Sequence, residues 1–248
     1  MDQKLPNSLE KELKKIKTRQ GRKKSSFYIV EGERCCEEAI ASGTKLSYGL
    51  ATERGFAKFS KLPDCPLYSV SEKEFELLSM TENAQGLMLV VGKMPILKPS
   101  FVDPFILVLD GLQEPGNVGT ILRTALAVGL TEVVLTKGTV DPFNPKVVRS
   151  GMGAHFKLRI CQVDSLSDIS EHISGKLWLT TPRDGLSCYD QSFDLKDGGL
   201  VLGEEGNGIA DFSLGNKVTI PMPGDAESLN VAQAATIFLF EGVRRGLL

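Results

Sequence analysis

The chain has 248 residues, of which 42% are hydrophobic, 24% charged and 7% aromatic, and these proportions are typical of a folded globular protein. No apolar run approaches the ~18 residues of a membrane helix, and the first residues lack the apolar stretch of a signal peptide. Five cysteines without a CxxC pair, beside two histidines, argue against a disulfide scaffold and a zinc site. We therefore expect a cytoplasmic protein with no membrane partner and no metal.

The formal net charge of −2 hides an asymmetry along the chain. Residues 1–24 contain nine basic and three acidic residues, so this segment carries +6 and the remainder carries −8. A basic arm on an acidic body suggests an anionic partner such as nucleic acid. A solvated helix with a frayed terminus explains the same composition, and the arm alone does not decide between the two.

After the arm, short apolar runs alternate with polar, helix-forming stretches. A strand pattern starts at Phe27 and recurs in LSYGLAT, CPLYSVS and GLMLVVGK, while ERCCEEAIASG has helical spacing and a stop at Gly43. This alternation predicts a small α/β domain over residues 25–93. Three prolines in MPILKPSFVDP then predict a linker or domain edge over residues 94–104.

The second half of the chain contains continuous apolar runs that are typical of parallel strands buried on both faces. Helical stretches lie between most of them, which predicts a parallel sheet with covering helices over residues 105–248. The five runs are FILVLD (105–110), EVVLT (132–136), KLWLTT (176–181), GLVLGEE (199–205) and KVTIPM (217–222).

Residues 110–130, DGLQEPGNVGTILRTALAVGL, predict a strand end, a turn and an amphipathic helix with Asn117 as N-cap and Gly129 as stop. Arg123 falls roughly opposite the apolar stripe, between the small residues Gly119 and Ala127. It is either an ordinary surface arginine or a group that another backbone or a ligand approaches. The apolar stripe consists of Val118, Ile121, Leu122, Ala125 and Val128.

Two later segments place polar groups beside strand ends. In LVLGEEGNGI (200–209) a buried strand runs into Gly203 and two acids, at the carboxyl end where open α/β sheets bind ligands; a glycine-rich turn with solvated acids explains it equally. In VTIPMPGDAESLNVAQAATIFLFEGVRR (218–245), Ser228 is predicted to cap a long helix and the terminal arginines to complement its dipole. This helix is apolar around most of its circumference, which indicates burial or a subunit interface.

In this order and spacing, NVGTILRTALAVG, VLGEEGNG and IPMPGDAESLNVAQA resemble the three motifs of the SpoU branch of the SPOUT methyltransferases, the TrmH family. Residues 25–93 are similar to the substrate-binding domain that often precedes it, which resembles a ribosomal protein. The resemblance implies an α/β fold: a SPOUT-type parallel sheet with a C-terminal trefoil knot over 105–248, preceded by the small RNA substrate-binding domain and the arm. It also implies a homodimer.

The resemblance further implies transfer of a methyl group from S-adenosylmethionine (SAM) to a ribose 2′-hydroxyl of structured RNA. Gly203, Ile220 and Leu229 match the family's SAM-binding positions. One departure is Glu204, where a small hydroxyl residue is commoner. The family's polar active-site positions fall on Asn117, Arg123, Glu205, Ser228 and Asn230.

Arg123 matches a residue that is sometimes assigned as the general base. A guanidinium holds its proton tightly, so it is better suited to binding the adjacent phosphate and stabilising the developing alkoxide than to accepting a proton. The preceding domain favours ribosomal RNA over tRNA as the substrate. Two other interpretations stay open on the sequence alone: a catalytically idle RNA-binding or ribosome-assembly protein on the same fold, and methylation of a base instead of a ribose.

Overall fold

A computed structural model describes residues 3–81, 83–94, 96–204, 206, 208–209 and 211–247. They form two compact units, the first from Met1–Pro95 with Asp141–Phe156 and the second from Ile96–Val140 with Lys157–Leu248. Within these described ranges, no helix has the length and apolar character needed to cross a membrane.

The first unit contains a four-stranded sheet in the order β1-β4-β2-β3, in which β4 is antiparallel to β1 and β2 while β3 is parallel to β2. The predicted strands and the predicted helix over ERCCEEAIASG are confirmed. In chain-order numbering, its elements are α1 (Asn7–Ile16), α2 (Arg19–Lys24), β1 (Phe27–Glu31), α3 (Glu33–Ala41), β2 (Leu46–Ala51), α4 (Glu53–Phe56), β3 (Leu67–Ser69), α5 (Glu72–Leu78), β4 (Leu87–Gly92) and α7 (Pro145–Gly151).

The basic arm is helical and packed. Leu13 and Ile16, on one face of α1, are fully buried in the same core as Phe75 of α5. Arg22 of α2 is only 5% exposed, and its Nε donates to Asp141 Oδ2 at 2.7 Å. Arg22 therefore fastens α2 to a later segment of the same unit and is not available to a partner.

That later segment, 141–156, packs into the first unit through apolar side chains. Phe143 and Val148 share a buried cluster with Tyr28, Val30 and Cys36. The predicted ranges place these residues in the methyltransferase domain. The division into arm, first domain, linker and methyltransferase domain stays a prediction.

The second unit contains a seven-stranded sheet in the order β7-β6-β5-β10-β8-β11-β9, and every strand pair that the structure describes in it is parallel. The predicted parallel α/β sheet is thus confirmed, whereas the trefoil knot stays a prediction. The elements are β5 (Ile106–Asp110), α6 (Pro115–Ala127), β6 (Glu132–Thr136), β7 (Arg159–Val163), α8 (Ser167–Ser170), β8 (Leu177–Thr180), β9 (Leu186–Ser187), β10 (Gly199–Gly203), β11 (Asn216–Thr219) and α9 (Val231–Arg244).

The five apolar runs coincide with β5, β6, β8, β10 and β11, and the two edge strands were not predicted. In β7 the polar residues Arg159 and Gln162 interrupt the apolar pattern because an edge strand is partly solvated. The strand β9 has two residues, too few for any pattern to indicate.

Both predicted helix caps were wrong by two or three residues. Helix α6 begins at Pro115, and the carboxylate of Glu114 caps it by accepting from Gly116 N, so Asn117 lies inside the first turn. Proline at the first helical position explains the earlier start, since its fixed φ suits a helix and no donor is lost. Helix α9 is capped by Asn230, not Ser228: Asn230 Oδ1 accepts from Ala232 N at 3.0 Å. Asparagine and serine are about equally good caps.

The far ends of the two helices behave differently. Gly129 follows α6 with a φ of +93°, the left-handed conformation expected of a helix stop. At the end of α9, Arg244 and Arg245 both donate to the carboxylate of Glu241. These hydrogen bonds, of which those from Arg244 have the largest effect, lower the pKa of Glu241 to about 2. The predicted role of these arginines in complementing the helix dipole is therefore joined by a direct ion pair.

Candidate active site

The carboxyl ends of three neighbouring strands, β10, β8 and β11, meet at one cavity of about 450 Å³. Gly203, Thr180 and Thr219 are the last residues of these strands and all line it. Open parallel α/β sheets bind ligands at this edge. The observed geometry thus agrees with the ligand site predicted at the end of the run GLVLGEE.

The cavity has mostly apolar walls with hydroxyl and amide groups at intervals. Leu202, Ile220, Leu229 and Phe238 supply aliphatic and aromatic surface, and Thr181, Ser228 and Asn230 supply hydrogen-bonding groups. Among the lining residues that the structure describes, Glu204 is the one charged side chain.

Gly203 has no room for a side chain because the loop after β10 folds back onto it. Gly208 N donates to Glu204 O at 2.9 Å, which closes the loop, and Ile209 is buried behind it. A Cβ atom on Gly203 would lie 2.8 Å from the carbonyl carbon of Gly208 and 2.8 Å from Ile209 N. Glycine is therefore required here by the close approach of backbone, although its φ is ordinary.

The three predicted cofactor positions, Gly203, Ile220 and Leu229, all line this cavity, and so do Ser228 and Asn230. Asn117 lies next to them: Asn230 Nδ2 donates to Asn117 Oδ1 at 3.0 Å, which joins the first turn of α6 to the N-cap of α9. The structure brings six of the eight predicted site residues together. The roles assigned to them stay predictions.

Arg123 and Glu205 are the other two. Arg123 is exposed on α6, does not line the cavity, and forms no hydrogen bond or ion pair with any described residue. It follows Asn117 by six residues, about 9 Å along the axis and about 120° around it, so it emerges on another face. Glu205 lies outside the described residues.

The helical face around Arg123 was predicted partly correctly. The apolar stripe from Val118 to Ala125 is buried, and Arg123 and Ala127 are exposed, but Gly119 is buried rather than on the opposite side. Steps of four residues rotate by about 40° around a helix, which turns Gly119 towards the stripe.

Several lining residues were not predicted from the sequence, including Thr180, Thr181 and Phe238. The two threonines end the predicted strand KLWLTT, so their place at a carboxyl strand end could have indicated them, as it did Gly203. Phe238 carried no signal of its own, since its apolar helix predicts burial and not what the side chain faces.

The residues of the cavity fit SAM. A volume of about 450 Å³ lies within the range of small-molecule sites. The aliphatic walls suit an adenine ring, the threonine and serine hydroxyls suit the polar groups of a nucleoside, and the single acidic side chain among the described lining residues suits a sulfonium cation. Gly203, Ile220 and Leu229 are the residues that would hold it.

Comparison with known proteins also indicates a SAM-dependent RNA methyltransferase, with matches that cover most of the chain. Residues 104–240 match the SpoU rRNA Methylase family, and residues 7–89 match the MRM3-like substrate binding domain. Over 245 residues the chain is 34% identical to the 23S rRNA (guanosine(2553)-2′-O)-methyltransferase RlmP of Bacillus subtilis, with 94% of this chain and 95% of that protein covered.

Two solved structures resemble the whole chain. A TrmH-family structure from Porphyromonas gingivalis has a TM-score of 0.81 at 31% identity and covers 97% of this chain and 99% of that one. The SpoU methyltransferase AviRb from Streptomyces viridochromogenes, solved with its cofactor AdoMet, has a TM-score of 0.82 at 26% identity, covering 98% and 99%. The chain therefore belongs to the SpoU rRNA methylase family.

Proposed function

We propose that this protein transfers a methyl group from SAM to the 2′-hydroxyl of a ribose in ribosomal RNA. The observation that carries the proposal is the convergence of the last two sequence motifs on one cavity, with Asn117 of the first motif bonded to Asn230 at its rim. The name of the Bacillus subtilis relative specifies a 2′-oxygen in 23S rRNA, and the AviRb structure holds AdoMet.

SAM supplies, when bound, an activated methyl carbon. The residues of the chain must then orient the ribose and help its hydroxyl lose a proton. Asn230 uses Oδ1 for the helix cap and its Nδ2 for Asn117, so its orientation is fixed from both sides. Ser228 does not cap α9 as predicted, and it contributes a hydroxyl-bearing side chain to the lining of the same cavity. Arg123, which does not line the cavity of its own chain, is assigned to binding the neighbouring phosphate and stabilising the developing alkoxide.

Mapping of the product tests this function. The protein is incubated with labelled SAM and, separately, with in vitro transcribed 23S rRNA, 16S rRNA and tRNA, and each RNA is digested to nucleosides for mass spectrometry. We expect a 2′-O-methylated nucleoside from an rRNA. A methylated base, or label in tRNA alone, contradicts the proposal. Absence of both product and SAM binding by calorimetry supports the idle RNA-binding protein instead.

We also propose that the protein is a homodimer that uses the outer face of α9. Phe240 and Val243 on this helix are 50% and 38% exposed, and α9 packs against α6, which carries the exposed Arg123. Adjacent exposed apolar side chains are typical of interaction surfaces. A dimer through this face buries them and brings Arg123 to the partner.

Phe240→Glu is therefore expected to convert a dimer into a monomer and to reduce methylation, because a carboxylate cannot be buried in an apolar interface without large cost. Sedimentation velocity measures the change. The control is Leu77→Glu, which alters a 69% exposed leucine of α5 in the first unit and should leave the mass unchanged. A monomeric wild-type protein, or a dimeric Phe240→Glu variant, is inconsistent with this interface.

The arm is the proposed docking site for RNA phosphates. Of its cations, Arg22 is buried, Lys14 pairs with Glu10, and Lys17 donates to a carbonyl oxygen of α5. The exposed cations with no ion pair to a described residue are Lys4, Lys11, Lys15, Arg19, Lys23 and Lys24. These six give the arm its available positive charge.

Lys23→Ala/Lys24→Ala is expected to weaken RNA binding and to flatten the dependence of log affinity on log salt by about 0.7–0.9 for each phosphate that the arm no longer binds. Filter binding at several salt concentrations measures this. Deletion of residues 1–24 is less informative, because it removes the buried Leu13 and Ile16. The matched control, Lys61→Ala/Lys73→Ala, removes two exposed charges elsewhere in the unit. Equal slopes for the two double variants would exclude α2 from the RNA interface.

A further inference from the structure

Two buried hydroxyl groups lie beside the loop that leads into α6. Thr136 is the last residue of β6, Thr139 follows three residues later, and their exposed fractions are 2% and 8%. Buried hydroxyls need hydrogen-bond partners. The partners of these two are concentrated on one short piece of backbone.

Both hydroxyls converge on Gly111, the first residue after β5. Thr136 Oγ1 donates to Asp110 Oδ1 at 2.6 Å, and Thr139 Oγ1 donates to Leu109 O at 2.9 Å. The two threonine hydroxyl oxygens also accept from Gly111 N, at 3.2 Å for Thr136 and 3.1 Å for Thr139. Each threonine thus uses its donor and an acceptor position, and together they fix a turn in which Gly111 has a φ of +71°.

The rest of the loop is held to the same turn. Val140 N donates to Leu112 O at 2.8 Å. Gln113 Nε2 donates to Gly111 O at 3.1 Å and also to Gly138 O. Residues 111–113 are therefore bonded along their length to residues 136–140.

This loop sets the position of the first turn of α6. It ends at Glu114, the N-cap, and Asn117 follows within the first turn. Asn117 Oδ1 accepts from Asn230 Nδ2 at 3.0 Å, and Asn230 both caps α9 and lines the cavity. A displacement of the loop therefore moves Asn117 against Asn230.

We infer that Thr136 and Thr139 are positioning residues for methyl transfer, which hold the loop 111–114 so that Asn117 and Asn230 keep the geometry required at the ribose. The inference rests on the proposed function and deepens it. Neither threonine is among the described residues that line the cavity, so their effect is expected on the chemical step and not on cofactor affinity.

The double variant Thr136→Val/Thr139→Val tests this, because valine keeps the shape and removes both hydroxyls. We expect kcat on a 23S rRNA transcript to fall about tenfold or more, since small misplacements of reacting groups are costly, while the Kd for SAM from calorimetry stays within about twofold. Thr136→Ser/Thr139→Ser, which keeps the hydroxyls, should restore kcat. The control is Thr131→Val, which removes a hydroxyl bond to Asp103 Oδ1 of 2.7 Å at the other end of β6 and should leave kcat unchanged.

A double-mutant cycle separates positioning from general stability. If the threonines act through Asn117, adding the two valines to Asn117→Ala should lower kcat by less than about twofold further. Independent, multiplying losses overturn the inference, as does an unchanged kcat in the valine variant or an equal loss of SAM affinity. Failure of the wild-type protein to methylate RNA refutes the proposed function instead, so the two failures are distinguishable.

Discussion

Replacing Arg123 by alanine is expected to lower methyl transfer at least 10²–10³-fold, the usual cost of removing a group that stabilises developing charge. The affinity for SAM is expected to stay within about twofold of wild type. The separation of the two effects follows from its position: Arg123 is exposed on α6 and is not among the described residues that line the cavity. Single-turnover methylation and calorimetry with SAM measure the two effects.

The variant Arg123→Lys distinguishes the two chemical roles. A lysine keeps the charge but loses the planar fork that binds phosphate in two places, so an anchoring role gives an intermediate rate. Lysine loses its proton more readily than arginine and has more of the neutral, proton-accepting form near pH 7, so a literal general-base role gives a rate that equals or exceeds wild type. Lys196→Ala, an exposed cation in the same unit, is the control for loss of charge and should remain active. Near-normal turnover of Arg123→Ala refutes both roles.

Arg123 does not line the cavity of its own chain, and a mixing experiment measures which subunit of a dimer supplies it to the site. In a mixture of Arg123→Ala and Asn230→Ala protomers, a site that takes Arg123 from one subunit and Asn230 from the other is intact in one of the two cavities of a mixed dimer. About a quarter of the wild-type activity then returns after random exchange, because half of the dimers are mixed. A site built within one chain stays inactive in every combination.

The strands of the parallel sheet were predictable because burial on both faces leaves a continuous apolar run, as in β5 and β10. The edge strand β7 was not predicted, because solvent on one side permits the polar residues Arg159 and Gln162, which interrupt the apolar run. Helix ends were less predictable. Several residues before α6 and α9 are good caps, and which one is used depends on where the preceding loop is held.

The convergence of the site was predictable only through the motifs. Gly203 and Asn230 are 27 residues apart in sequence, and no local pattern says that they share a cavity. The roles of Thr136 and Thr139 left no signal, because their partners are mostly backbone atoms that parallel pairing of β5 with β6 brings near. The packing of Phe143 into the first unit is similar: its sequence predicts burial but not the core that receives it.

Gly203→Ala is expected to lower SAM affinity by about tenfold or more, as measured by calorimetry. The added Cβ meets the backbone of Gly208 and Ile209 at 2.8 Å, so the loop must move. Both Gly203 and Gly208 line the cavity, and moving the loop changes the shape of the site. The Cβ also meets Ile209 Cγ1 at 2.6 Å, but rotation of that side chain cannot relieve the overpacking by itself, because the main-chain atoms at 2.8 Å remain.

Gly206→Ala is the matched control. Gly206 lies in the same loop and lines the same cavity, but a Cβ there would have no heavy atom of another described residue within 4 Å. Its affinity for SAM should remain close to wild type, and thermal unfolding should show both variants folded. Equal affinities for the two alanine variants would mean that the loop after β10 adapts freely and does not shape the cofactor site. A loss confined to Gly203→Ala assigns the close approach at residue 203 to cofactor binding, because the two variants share loop, cavity and added methyl group and differ in what that group meets.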